Sequence, residues 1–267
     1  MPKTSQFRMR RCVVEGVEAI EADSAHSFGR HTHDQFGIGV ITRGAQKSAS
    51  GRGPVEAGPG DVITVNPGEV HDGTPITETG RAWRMLYLDP RLVEQAGLDI
   101  TEGRSADCVF SHPVMTDRSP ARNFLSLYQE MTTLDPVDRL PSQTGLLLLA
   151  AAHLIEKPHR IAGAPPIDRA RSLIDDDPTA AVTLDDLARA SGLTRFQVLR
   201  GFSRATGMTP HAYLVQRRLG IARRLIGQGL PLSEAALSGG FADQSHMTRI
   251  FVRAYGMTPG AYRQAIR

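Results

Sequence analysis

The chain has 267 residues, 40% of them apolar and 22% charged, with a net charge of +3. Such a composition excludes a disordered or fibrous chain and leaves room for two ordinary domains. Two cysteines, Cys12 and Cys108, are too few for a disulfide framework or a zinc finger, and a reducing cytoplasm is expected.

At the start, Lys3, Arg8, Arg10 and Arg11 are not followed by an apolar run, so no signal peptide is expected. Up to about residue 90 the chain reads as β. Short runs at Phe36 to Thr42, Val62 to Val65 and Trp83 to Leu88 are rich in β-branched and aromatic residues. Turn signals separate them, among them Gly51-Arg52-Gly53-Pro54, Gly58-Pro59-Gly60-Asp61 and Asn66-Pro67-Gly68. Short strands at this spacing predict a β-sandwich or barrel.

From about residue 119 the period becomes helical. One helix is expected from Pro120 through Met131 and another from about Pro141 to Glu156. The longest apolar stretch, Leu146 to Ile155, is about half of the roughly 20 residues a membrane span needs. It is expected to be buried, with no membrane partner. The two helices are expected to pack on the barrel or on a second subunit. Pro and Gly in 157–166 mark a linker. The expected division is 1–110 for the barrel, 111–157 for a helical connector or dimerisation segment, 158–166 for the linker and 167–267 for a helical domain.

That last domain is basic. Residues 168–267 hold 14 Arg, no Lys and 8 acidic residues, for a net charge of +6, against −3 for residues 1–167. The asymmetry suits a polyanion, although ordinary surface charge produces such values too. The stronger signal is a repeat. Phe202-Ser203-Arg204-Ala205-Thr206-Gly207-Met208-Thr209-Pro210-His211-Ala212-Tyr213 returns as Phe251 to Tyr262, with nine of twelve positions identical.

A helix-turn-helix layout precedes each copy. Thr183 and Thr194 are placed to cap two helices joined at Gly192. In the second copy Ser233 is expected to cap a helix that turns at Gly239-Gly240, before a helix from about Asp243 to Tyr255. Val198 and Phe202, then Met247, Ile250 and Phe251, are expected to face inward. A recognition helix reads base edges with the side chains it leaves outside. These are Arg195, Phe196, Gln197 and Arg200 in the first motif, and Gln244, Ser245, His246 and Arg249 in the second. Arg204 and Arg253 are better placed for phosphate. About Pro210 to Ile226 is expected to be one helix near 25 Å long, able to set the motifs about one DNA turn apart.

Residues 183–263 resemble the DNA-binding domain of the AraC/XylS family of transcription regulators. The resemblance rests on Thr183 to Ala188, the Gly192 turn, Phe202 to Tyr213, Ala222 to Leu225, Gly240 to His246 and Gly256 to Pro259. It implies an all-α domain of seven helices with two helix-turn-helix motifs, and it carries over the reading residues named above. Leu199 stands where such proteins often have a polar side chain, which weakens readout by the first motif.

In the β-rich half, His31-Thr32-His33 puts two imidazoles on one face of a strand. Together with Gly60-Asp61 and Pro67-Gly68-Glu69-Val70-His71 this resembles a cupin, a barrel that AraC-family regulators carry as a sensor. The carboxylate that a cupin metal site takes four or five residues after the second His is absent: Gly37 and Ile38 stand there. A polar pocket in which His31, His33 and His71 hydrogen-bond a small ligand is the expected role. No cofactor is expected. A metal held by the same three residues, which would suit zinc, iron or nickel, is the alternative, as are satisfied structural histidines.

The expected whole is a cupin-like β-barrel followed by helices and an all-α double helix-turn-helix domain. The expected function is a sequence-specific regulator or activator, not an enzyme, whose binding to double-stranded promoter DNA responds to a small-molecule effector. RNA polymerase and a second copy of the chain are further expected partners. The competing reading is a metal-dependent cupin enzyme fused to a DNA-binding domain.

Overall fold

The computed structural model describes residues 6–133, 140–156 and 165–266. The chain divides into two compact units, residues 1–158 and 159–263.

The first unit is built on β1 (Gln6–Arg10), β2 (Val17–Ser24), β3 (Phe28–His31), β4 (Phe36–Arg43), β5 (Gln46–Ser50), β6 (Gly53–Ala57), β7 (Val62–Val65), β8 (His71–Pro75) and β9 (Arg81–Leu88). Then come α1 (Pro90–Ile100), β10 (Cys108–Phe110), β11 (Val114–Met115), α2 (Arg118–Thr132), α3 (Leu140–His153) and β12 (Leu154–Glu156). A six-stranded antiparallel sheet, β1-β2-β9-β4-β7-β11, forms a sandwich with a four-stranded one, β3-β8-β5-β6.

Side-chain alternation explains how the larger sheet is used. On β9, Leu86 and Leu88 join Ile38, Val40 and Val62 in a core with Phe124, Leu127, Tyr128 and Met131 of α2. The opposite parity, Arg81, Trp83, Met85 and Tyr87, faces the other way. With both faces covered, β4 is buried without interruption from Phe36 to Ile41, as a doubly covered strand must be. Arg81 is 1% exposed. Its guanidinium donates to Gln46 Oε1 (2.9 Å), His26 O (2.8 Å) and Gly73 O (3.2 Å), and lies 4.8 Å from the Trp83 ring centre. One buried charge thus ties the two sheets through acceptors that its burial requires.

Two expectations for the connector change. The α3 helix stops at His153, and Leu154–Glu156 becomes β12, paired antiparallel with β10. Helical periodicity ran through these residues because Leu154 and Ile155 suit either state, and the partner strand lies more than forty residues away. The apolar stretch is also only partly buried: Leu149, Ala150 and Leu154 are inside, but Leu148 is 65% exposed and Ile155 45%. The linker expected at 158–166 lies outside the described residues except for 165 and 166, which open the next helix.

The second unit consists, among the described residues, of α4 (Pro165–Asp176), α5 (Leu184–Ser191), α6 (Arg195–Thr206), α7 (Pro210–Gly227), α8 (Leu232–Ser238), α9 (Gln244–Tyr255) and α10 (Pro259–Ala265). The sequence repeat is a repeated joint. Gly207 and Gly256 end α6 and α9 in the left-handed conformation, at φ 77° and 72°, which glycine adopts without the Cβ penalty. Thr209 and Thr258 then accept from the backbone N–H of Ala212 and Ala261, at 3.2 and 3.1 Å, with Pro210 and Pro259 opening α7 and α10. Phe202 meets Tyr213 and Phe251 meets Tyr262, with ring centres 5.4 and 5.7 Å apart. The expected Ser233 cap is not used: α8 starts at Leu232, after Pro231, with no side-chain cap.

Candidate nucleic-acid interface and ligand site

Thr194 and Asp243 cap α6 and α9 at equivalent places, accepting from the N–H of Gln197 (3.3 Å) and of His246 (2.7 Å). Each cap fixes the first turn of the helix that would enter a groove. Val198 and Phe202, like Met247 and Phe251, are fully buried. Their burial orients the opposite face outward. Arg195, Phe196, Gln197, Arg200 and Arg204 are exposed on α6, as are Gln244, Ser245, Arg249 and Arg253 on α9. His246 is half-buried, its ring centre 5.5 Å from that of Phe241. Arg200 and Arg249 occupy equivalent turns, as do Arg204 and Arg253.

The two faces differ in how free they are. Arg195 forms an ion pair with Asp185 of α5, and its hydrogen bond holds the Asp185 carboxyl below the usual range. Gln197 Oε1 accepts from the Thr194 N–H (2.9 Å), completing a capping box. Gln197 thus already uses the oxygen that a bidentate adenine contact needs. The Arg200 guanidinium lies 5.7 Å from the Phe196 ring centre. Among the described residues, Gln244, Ser245 and Arg249 have no side-chain hydrogen bond or ion pair.

Not every arginine of this unit faces outward. Arg217 pairs with Asp175 (3.0 Å), Arg218 donates to Pro178 O (2.7 Å) and Ala180 O (2.9 Å), and Arg223 is buried against Tyr255 and Tyr262. Part of the net positive charge is therefore internal architecture.

The three histidines of the first unit come together. His31 faces His71 in the β3–β8 ladder, and their ring centres are 4.3 Å apart. His33 lies beyond the end of β3, so strand alternation alone does not place it. Its backbone carbonyl accepts from the Gly68 N–H (2.8 Å), which draws the two motifs together. Its ring centre is 4.9 Å from His31, 5.1 Å from His71 and 5.0 Å from Tyr87.

Two of the rings are anchored. His31 Nδ1 donates to Gly29 O (2.7 Å) and His71 Nδ1 to Glu69 O (2.9 Å). A carbonyl can only accept, so the proton sits on Nδ1 and Nε2 carries the lone pair. Burial, helped by the neighbouring His71, pushes the His31 pKa down to about 3. Burial lowers that of His71 as well. Both rings are neutral at pH 7.

Around the cluster lies a polar network that the sequence did not signal. Arg52 Nε donates to Glu69 (2.8 Å), its Nη1 to Phe110 O (3.1 Å) and its Nη2 to Thr64 O (2.8 Å). Burial pushes the Glu69 carboxyl up, but hydrogen bonds from Arg52 and Ser50 and the charge of Arg52 hold it below the usual range. Asn66 bridges Glu69 to β10: its Nδ2 donates to Phe110 O (3.1 Å), and its Oδ1 accepts from the Phe110 N–H (2.8 Å). Arg52 and Asn66 read only as turn residues in the sequence, because their partners lie up to 58 positions away.

Compared with known proteins, residues 15–150 match the AraC-like ligand binding domain family, and residues 187–265 match a helix-turn-helix domain family. YbfI of Bacillus subtilis, an uncharacterized HTH-type transcriptional regulator, is 28% identical over 231 residues, 82% of this chain and 81% of its own. NphR of a Rhodococcus species, a transcriptional activator, is 37% identical over 123 residues, 45% of this chain and 34% of its own. Among solved structures, ToxT from Vibrio cholerae matches with a TM-score of 0.58 at 10% identity, over 99% of this chain and 98% of its own. ToxT solved with an unsaturated fatty acid bound matches with a TM-score of 0.55 at 11% identity, over 98% and 95%.

Proposed function

The chain belongs to the AraC family of transcription regulators, with a ligand-binding N-terminal domain and a helix-turn-helix domain, and from that premise we propose that a small molecule held at His31, His33 and His71 sets how tightly α6 and α9 grip promoter DNA. The family is one of DNA-binding regulators, so the reading as a cupin enzyme is set aside.

The observation that carries the DNA side is the repeated joint with its two outward polar faces. Arg200 and Arg249 read bases, helped by Phe196, Gln244 and Ser245. Arg204 and Arg253 hold phosphate. Arg195 joins them by exchanging Asp185 for DNA, an exchange made easy because an exposed ion pair is weak.

On the sensing side, a ligand acts only through different affinity for two states of the protein. The Glu69–Arg52–Asn66 network supports a route for such a difference. It joins the His71 anchor to Phe110 of β10, which faces Leu154 of β12, three residues before the chain leaves for the DNA-binding helices. A compact hydrogen-bonding effector suits the polar histidine cluster. The exposed Leu148 and Ile155 support pairing with a second copy through α3 and β12, and RNA polymerase is the further partner of an activator.

The test is binding of the full chain to its own promoter region, measured by fluorescence anisotropy against a scrambled duplex. Loss of discrimination is expected when Arg200→Ala and Arg249→Ala are combined. Intact discrimination in that double variant would sink the assignment of readers. Screening metabolites by thermal shift, with His71→Ala as comparison, tests the effector site.

A further inference from the structure

We propose that Arg218 of α7 is a positioning residue for DNA readout: its guanidinium clasps the loop that enters the first helix-turn-helix against the turn of the second, and so fixes the separation and rotation between α6 and α9. This role goes beyond the assignment of readers, and rests on the reading that both helices engage DNA at once.

The clasp has one side in each motif. Arg218 Nε donates to Pro178 O (2.7 Å) and Nη2 to Ala180 O (2.9 Å), both in the loop between α4 and α5. On the other side lies Gly240, in the turn between α8 and α9, at φ 80°. A Cβ on Gly240 would stand 2.9 Å from Arg218 Nε, 3.2 Å from Arg218 Cδ and 3.3 Å from Thr179 Cα. Glycine is therefore needed there for two reasons, its left-handed backbone and the close approach of the arginine. Gly239 lies equally close to α7, where a Cβ would stand 3.0 Å from Ala222 Cβ and 3.3 Å from Arg218 O.

Both sides lead directly into the motifs. Ala180 comes three residues before Thr183, the cap of α5, and Gly240 three before Asp243, the cap of α9. The α4 helix, at the other end of the clasped loop, packs on α6: a Cβ on Gly201 would stand 2.6 Å from Ile167 Cδ1. Asp175 of α4 also holds α7, accepting from the Tyr213 hydroxyl (2.9 Å) and pairing with Arg217 (3.0 Å). The first motif is thus tied to the first half of α7. The second packs on the half that follows, where Arg223 lies against Tyr255 and Tyr262. Arg218 stands where the two meet.

The guanidinium suits this task. Its planar fork meets two carbonyls in fixed directions, whereas a lysine offers one rotatable point charge. Fixed geometry matters because a link between two binding modules raises affinity by about 10²–10⁴-fold when both can engage, and by nothing when the geometry forbids it. One base pair inserted between the half-sites moves one of them by about 3.4 Å and turns it by about 35°. A clasped domain cannot follow that change, and an unclasped one can.

The experiment measures fluorescence anisotropy of the full chain on duplexes of its own promoter region. The half-sites are assigned by the positions that lose base preference in Arg200→Ala and in Arg249→Ala, and one base pair is then inserted or removed between them. The parent should lose about 100-fold in affinity on either change, as joint engagement fails. Arg218→Ala should bind the native spacing more weakly yet lose no more than about tenfold on either change, because a loose link lets both helices reach at a lower effective concentration. Arg218→Lys keeps the charge and the aliphatic stem without the fork, and should show an intermediate spacing dependence. Far-UV circular dichroism shows that each variant is folded; if Arg218→Ala is not, Arg218→Lys decides. Folded variants that are weakened by one factor at every spacing overturn the proposal, since a side chain that merely stabilises the fold acts in that way. A parent indifferent to spacing overturns the reading that α6 and α9 engage DNA together, and the proposal with it.

Discussion

Arg200 and Arg249 sit on equivalent turns of two helices, yet their surroundings differ. Arg200 lies against Phe196, while among the described residues Arg249 has no side-chain hydrogen bond or ion pair to leave. Truncating either to Ala should cost about 1–3 kcal/mol of specific affinity and relax base preference at one position. The loss should be the cleaner one at Arg249. Arg204→Ala and Arg253→Ala should instead weaken all duplexes alike and lower the salt slope by about 1 each. Anisotropy titrations at several salt concentrations separate the two behaviours. His31 offers a test of another kind. Its pKa is about 3 when folded and about 6.5 when unfolded, so between those values only the unfolded chain binds the proton. The chain should be at full stability above about pH 6.5 and lose roughly 1.4 kcal/mol per unit as the pH falls below it. Urea midpoints at pH 7.5 and 5.5 check this, and His31→Asn should flatten the difference.

Among the secondary elements, β10 and β12 connect the polar network around the histidines to the end of the first unit. If that connection transmits the effector signal, Asn66→Ala should leave effector binding intact and abolish the change in DNA affinity. A variant that still responds fully would show that the signal travels elsewhere. The α3 helix presents the other consequence. Leu148 is exposed beside buried Leu149 and Ala150, so Leu148→Glu should leave folding untouched while shifting sedimentation from dimer to monomer. An identical sedimentation coefficient in both proteins would refute pairing through this face.

The two units have separate cores, and their stabilities should respond separately. Phe124 is fully buried between α2 and the larger sheet. Phe124→Ala should destabilise the first unit by about 3–5 kcal/mol, seen as a lowered first transition on thermal unfolding. A fragment beginning at residue 159 should still discriminate its operator and should ignore the effector, because the histidines are gone. A fragment that fails to discriminate would mean that the first unit takes part in readout.

Much of this was legible beforehand, and the reason is periodicity. Alternation and turn residues placed β4, β7 and β9, and caps with a 3.6-residue period placed α5, α6 and α7, because each signal is local to the element it builds. The repeat identified the DNA-binding joint, since the same glycine, threonine and proline solve the same backbone problem twice. The HxH and PxG-x-x-H spacings singled out the three histidines. Tertiary contact alone decided that Leu154–Glu156 leave helix for strand, that His33 joins its partners from beyond the end of β3, and that Arg52, Glu69 and Asn66 brace the cluster. It likewise turned Arg217, Arg218 and Arg223 inward and put Gln197 into a cap. In each of these cases the deciding partner is remote in the chain or is a hydrogen bond that several residue types can make. The sequence therefore determined which elements form and which face each buries. Only their packing determined what the polar residues between those faces would touch.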